Sequence, residues 1–320
     1  SVRRAAEIHA VDAALATGAA AAAARRLRRD ATDRPMRLRV ARVARAKGDV
    51  DAAVAAYRGL LEDADDGADA ASRCDVALEC ADALIAAGRA PDARSVLRAA
   101  ATRLSACAAS FAPPPPTVPL DSIRGPRFPW PEEDAERCAR YLTIVGEAAQ
   151  AAGDLAEAAY ALNGALKVAA RLRDAVLYGR ALHALGTTFL RAGDSTAAER
   201  RLLRAAQVRV EAGDARGVAD TANNLGVLYR RANRSSEAVE QFTRSLRIRR
   251  RLGNPVEEAA SYLNLANVYF ERRELEPAIR YWRRALASAR NLSQHDAQAR
   301  ILNNLGAAAF LTRRFEEALR

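Results

Sequence analysis

The chain is poor in most of what catalysis, metal binding or membrane insertion requires. No stretch approaches the ~20 apolar residues that span a bilayer, and Glu7, Asp12 and several arginines interrupt the one Ala-rich N-terminal run, so a secretory or spanning segment is not expected. Cys74, Cys80, Cys107 and Cys138 show no two-residue pairing, and His9, His183 and His295 are scattered. Zinc would need closer spacings, so no metal is expected and the cysteines read as buried, reduced thiols of a cytoplasmic protein. No Gly-rich loop carries a phosphate-gripping Lys, and no Ser stands between glycines as a nucleophile elbow. An enzyme, a cofactor and a small-molecule substrate are therefore not expected. Aromatics are only 5% of the residues, too few for a sheet core or for stacking nucleic-acid bases, and no strand-like alternation stands out.

What is abundant is Ala, which favours helix and lets helices approach closely. The Ala-rich background carries a repeat. Leu185-Gly186, Leu225-Gly226 and Leu305-Gly306 recur on a spacing of 40 residues, with Leu265-Ala266 completing the register and Val145-Gly146 extending it upstream. A period of this length signals stacked two-helix units. Four residues after the Leu stands Ala149, Phe189, Tyr229, Tyr269 or Ala309, and thirteen after it Ala158, Ala198, Ala238, Ala278 or Ala318. Leu162, Leu202, Phe242 and Trp282 follow, then Ala165, Ala205, Ser245 and Ala285. Small residues facing bulky ones suit two antiparallel helices packed closely.

Gly153, Gly193 and Asn233 fall where the first helix of each block must end, and both residue types tolerate the left-handed conformation of a helix C-terminus. Asp154, Asp194 and Ser235 or Ser236 offer oxygens to cap the second helix. Arg273 and Arg313 occupy the Gly place in the next two blocks, which predicts turns that close differently. Pro255, after Asn254, suits a first helical turn.

The Leu-Gly, Tyr, Ala, Phe/Trp, Ala series resembles the tetratricopeptide repeat family, in the longer Asn-Leu-Gly form of kinesin light chains and many bacterial regulators. The resemblance is strong over residues 132–320 and weaker before them. It implies an all-α, right-handed superhelical solenoid of antiparallel helix hairpins. Upstream, Gly48-Asp49 with Ala53, Tyr57 and Leu60 fits one repeat, Gly88 with Ala93, Leu97 and Ala100 another, and Gly18 with Ala23 and Leu27 a third. The expected organisation is thus degenerate repeats over 1–111, a Pro-rich linker or insertion over 112–131, and a regular array over 132–320. The linker holds Pro113 to Pro116, Pro119, Pro126, Pro129 and Pro131, a density that favours extended polyproline II. It reads either as a docking strand for an aromatic groove or as a spacer whose Phe128 and Trp130 cover a stack end. The chain opens at Ser1 in a helical pattern and stops at Arg320 within a second helix, so a truncated last repeat and a longer parent protein are expected.

A net charge of +11 and a pI near 10.1 raise nucleic acid as a partner, with dense clusters at Arg25 to Arg29 and Arg247 to Arg251. Elsewhere arginines alternate with acids, as in Glu199-Arg200-Arg201 and Glu271-Arg272-Arg273, the pattern of an ordinary solvated surface. Protein or peptide is the favoured partner, nucleic acid the alternative, and a purely structural spacer or oligomerisation array the second alternative.

The resemblance also implies a ligand face. In tetratricopeptide arrays the first helices line the concave surface, and the place before the Leu points into it. Asn224, Asn264 and Asn304 hold that place, beside Asn223 and Asn303. Asn both donates and accepts, so such a ladder suits an extended peptide backbone, or else the Asn residues join neighbouring helices. Asn267 and Asn304 match the two Asn places of family members that grip carboxylate ends, but Leu263 replaces the Lys expected there. His183, on the same face, is more suited to contacting a partner than to moving protons. Arg180, Arg230, Arg231 and Arg300 would favour acidic side chains on the partner.

Overall fold

The structure is a computed structural model that describes residues 34–46, 49–62, 70–101, 113, 115, 117–126, 134–253, 255–291 and 295–311. The expectations for Gly18, Ala23, Leu27, Arg25 to Arg29, Cys107, Phe128, Trp130 and Arg313 lie outside these residues. Every regular element among the described residues is a helix, and they divide into two compact units, 1–173 and 174–320.

The first unit contains α1 (Arg34–Ala46), α2 (Val50–Glu62), α3 (Ala70–Ala86), α4 (Ala90–Ala101), a 3-10 turn at Leu120–Ser122, α5 (Ala135–Ala152) and α6 (Leu155–Leu172). The helices pair as hairpins α1/α2, α3/α4 and α5/α6, each hairpin packing on the next. Tyr57, Leu60, Leu84, Leu97, Leu142 and Leu162 are among the residues that form its buried centre. On the first-helix side, ion pairs tie successive hairpins: Arg42 to Glu79 at 2.5 Å, Arg45 to Asp82, and Arg140 to Asp75 at 3.1 Å.

The second unit contains α7 (Ala175–Ala192), α8 (Ser195–Glu211), α9 (Ala215–Arg231), α10 (Ser235–Leu252), α11 (Pro255–Glu271), α12 (Leu275–Asn291) and α13 (His295–Leu311). Hairpins α7/α8, α9/α10 and α11/α12 stack in sequence order, and first helices α7, α9 and α11 also touch one another. Both units are stacks of the solenoid type.

The Leu-Gly pair has a steric cause. A Cβ on Gly226 would lie 2.6 Å from Phe242, one on Gly186 2.8 Å from Leu202, and one on Gly146 2.5 Å from Leu162. Each Gly is the socket for the bulky residue sixteen positions later, so helix crossing and hairpin register are set together. In the α11/α12 hairpin Ala266 stands at the Gly place, and Trp282, the bulky residue there, packs on Phe270 with ring centroids 5.3 Å apart.

The turns follow the expected chemistry with two corrections. Gly153 and Gly193 take φ of 89° and 86°, Asn233 takes 59°, and Asp154 and Asp194 accept from Glu157 N and Ala197 N. Arg273, however, closes its turn as the glycines do, with φ 63° and the same bond from the following amide, Glu274 N to Tyr269 O at 2.9 Å, as Asp194 N makes to Phe189 O. The satisfied carbonyls offset the roughly 1–2 kcal/mol that a left-handed non-Gly residue costs. Neither Ser235 nor Ser236 caps α10. Arg234 holds the N-cap place without a side-chain cap; its guanidinium instead bonds Glu199 at 2.9 Å and Glu237, and lies over the Tyr229 ring at 4.3 Å.

Candidate first-helix face of the second unit

The Asn positions fall in two groups. Asn224 on α9 donates to Thr187 Oγ1 at 3.1 Å and to His183 Nε2 at 3.3 Å, both on α7. Its own oxygen accepts from Asn223 at 3.4 Å, and Asn223 Oδ1 accepts from Asn264 on α11 at 2.8 Å. This chain of side-chain bonds runs across three first helices.

His183 is half-buried at one end of it. Thr221 donates its hydroxyl proton to Gly217 O at 2.8 Å and accepts from Arg209 at 2.9 Å, so His183 Nδ1, 3.2 Å away, is the donor of that contact. Nε2 then keeps its lone pair for Asn224, and the ring is neutral. Burial, with Arg209 and Arg180 nearby, lowers its pKa to about 3. Its folded value lies below the unfolded ~6.5, so stability is full above about pH 6.5 and falls as pH drops toward 3, at up to ~1.4 kcal/mol per unit. Thermal melting from pH 7 to pH 4 should show a steeper loss for the wild type than for His183→Gln; parallel curves would refute the assignment.

Further along, Asn267 and Asn304 are half-buried, Asn303 and Arg300 are exposed, and none of the four has a hydrogen bond or ion pair among the described residues. Asn264 is half-buried with its carbonyl oxygen unpaired in the same sense. Arg230 is held by Glu271 at 2.6 Å, Arg231 is exposed, and Arg180 is half-buried beside His183. The face is therefore closed on itself at α7 and α9 and open at α11 and α13.

A buried arginine pair was not anticipated. Arg209 Nη1 reaches Gly217 O at 2.7 Å and Thr221 at 2.9 Å, and Asp214 lies 3.6 Å from its Nε. Arg249, 40 residues on, repeats this with Ser261 at 3.0 Å and Glu257 O at 3.2 Å, and adds Asp220 at 3.1 Å. Each arginine pins the end of one second helix to the next first helix. The signal was present in the sequence: an Arg with a hydroxyl residue twelve positions later, twice at the repeat spacing. The Arg247 to Arg251 cluster is thereby split, since Arg249 points inward and Arg250 pairs with Glu258 at 3.5 Å.

Cys74 and Cys80 are buried free thiols whose pKa burial raises to about 11, consistent with inert packing. Cys138 is disulfide-bonded, so the expectation of reduced thiols throughout does not extend to it. Among the described residues no His, Cys, Asp and Glu group could hold a metal ion, and no helix is long and apolar enough to cross a membrane.

Residues 196–251 and 257–320 match the tetratricopeptide repeat family. These are tetratricopeptide repeats. Such repeats are protein-interaction scaffolds, and the hairpins described above supply the interlocking they need. No curated protein matches the chain. Among solved structures, BtubC (BKLC) from P. vanneervenii shares 24% identity and a TM-score of 0.53 over 58% of this chain and 82% of its own. A signal transduction ATPase with a tetratricopeptide repeat sensor, PH0952 from Pyrococcus horikoshii, gives 13% identity and a TM-score of 0.59; the alignment takes in 88% of this chain but only 40% of that one. A Rap protein complexed with Competence and Sporulation Factor gives 12% and 0.56, with 98% of both chains covered. These likenesses concern the tetratricopeptide fold.

Proposed function

We propose that the tetratricopeptide array receives an extended peptide, or an extended edge of a neighbouring domain, on the first-helix face of α11 and α13. It serves as a non-enzymatic sensor or regulatory segment of a larger bacterial protein. The observation that carries this reading is the change along the Asn ladder. Asn223 and Asn224 spend their capacity on each other and on neighbouring helices, whereas Asn264, Asn267, Asn303 and Asn304 retain donors and acceptors among the described residues. Arg300, one turn before Asn304 on α13, and Arg231, at the end of α9, favour acidic side chains. Support of a different kind comes from the Rap protein, whose structure holds Competence and Sporulation Factor, and from the sensor role stated for the repeats of PH0952.

The test is a random peptide library displayed on phage and panned against the protein. Wild type should enrich peptides, and Asn264→Ala/Asn267→Ala/Asn304→Ala should weaken binding of the enriched peptides by roughly a hundredfold, about 1 kcal/mol for each of the three lost bonds. Asn224→Ala should instead lower the melting temperature and leave affinity within about threefold, since its bonds are internal. Unchanged affinity in the triple variant would sink the proposal.

A further inference from the structure

The Pro-rich segment is neither free nor a simple spacer where it is described. Residues 123–126 lie along α6 in the first unit, and the contact is built from both sides. Asn163 Nδ2 donates to the Ile123 carbonyl and Lys167 Nζ to the Gly125 carbonyl, each at 2.9 Å. Two side chains one helical turn apart thus read two alternate carbonyls of an extended strand. Ile123 is 3% exposed, Arg124 faces solvent, and Gly125 and Pro126 are buried.

The close approach depends on two glycines. A Cβ on Gly125 would lie 2.2 Å from Gly164 N, and one on Gly164 2.9 Å from the Pro126 ring and 3.1 Å from Leu142. The Gly125 collision is with helix backbone and no side-chain rotation relieves it, while a Cβ on Gly164 would press on the Pro126 ring and the Leu142 side chain, so the strand would have to lift. Lys167 is one of only two lysines in a chain otherwise supplied with Arg. A compact ammonium suits a single carbonyl beside Gly125 better than a planar fork.

We propose that this face of α6 is a second peptide-docking site, occupied in cis by residues 123–126. Its trans ligand is an extended segment of the same chemistry: an aliphatic residue, a solvent-facing residue, then Gly-Pro. The site is separate from the Asn ladder of the second unit and does not depend on it. Recognition runs through two carbonyls, one buried aliphatic side chain and the absence of a Cβ, so the solvent-facing position is free to vary. A partner bearing that pattern competes with the strap at high effective concentration, which makes the site closed by default.

Gly125→Ala in the full chain opens the site without touching α6. Trypsin should cut after Arg124 at least about tenfold faster in this variant than in wild type, because cleavage follows the open population. A fluorescent peptide of residues 117–126 should then bind Gly125→Ala saturably, bind wild type at least about tenfold more weakly, and lose binding when the peptide itself carries Gly125→Ala or the protein also carries Asn163→Ala/Lys167→Ala. Continued protection of Arg124 in the variant would overturn the proposal. So would an opened strap with no peptide binding, or equal binding to wild type and variant.

Discussion

Phe242→Ala is expected to destabilise the second unit by about 3–5 kcal/mol, the usual cost of deleting a fully buried aromatic side chain. Phe242 has no exposed surface, and its ring fills the socket left by Gly226, with ring atoms 2.6–2.9 Å from where a Cβ would stand. Removing it leaves a void bounded by helix backbone, which cannot collapse without changing the α9/α10 crossing. Urea unfolding followed by circular dichroism measures the loss. Leu203→Ala on α8, where the side chain is 48% exposed, is the control and should cost under about 1 kcal/mol. A Phe242→Ala loss no larger than the control would show that the Gly socket does not set the hairpin. The same logic ranks Gly226→Val as disruptive, since overpacking typically costs about 1–3 kcal/mol, with β-branching in a helix added to it.

Arg249→Ala should be the next most damaging, at about 2–4 kcal/mol, because truncation strands partners rather than merely deleting a contact. Asp220, Glu257 O and Ser261 would all lose the guanidinium. The Asp220 side chain is 39% exposed and recovers part of the loss from water, so the lower half of the range is expected. Burial already raises the Asp220 pKa, against the pull of Arg249. Arg249→Met, which keeps the buried stem, should cost less than Arg249→Ala, and Arg249→Ala/Asp220→Asn should recover some of the difference by removing the stranded charge. An Arg249→Met loss near zero, with Arg249→Ala and Arg249→Ala/Asp220→Asn equal in the same urea unfolding, would mean that packing alone matters at this joint.

Much of this was legible in the sequence for a physical reason. The Leu-Gly pairs, the Ala places and Leu162, Leu202, Phe242 and Trp282 are local steric requirements repeated at a fixed spacing, and repetition separates them from background. Gly153 and Gly193 were equally plain, since few residues take a left-handed turn. Arg273 was misjudged because the turn is held by backbone bonds that a sequence does not display, and those bonds tolerate an unfavourable residue. Ser235 looked like a cap because it has the right oxygen, but the Arg234 bridge to Glu199 and Glu237 secures that helix start instead. The Asn ladder was visible as a series, yet only geometry separates members that bond neighbouring helices from those that do not. The docking of Ile123 to Pro126 on α6 joins carbonyls to side chains about 40 positions away, and backbone carbonyls have no sequence signature.

The two buried arginines also set where the second unit gives way. A stacked array behaves as a row of coupled springs, each joint as stiff as the interface it spans. Arg209 and Arg249 clamp α8 to α9 and α10 to α11, while the corresponding place at the start of the α12/α13 joint is Ala289, which has no side chain to clamp with and whose carbonyl accepts from Gln298 at 3.1 Å. The block from α8 to α11 should therefore move as one stiff rod in amide exchange, with α13 hinged on its end. Asn303, Asn304 and Arg300 ride on that hinge. A peptide spanning α11 and α13 would grip a rigid jaw with one hand and a compliant one with the other, and its binding would be read out as stiffening of the last joint.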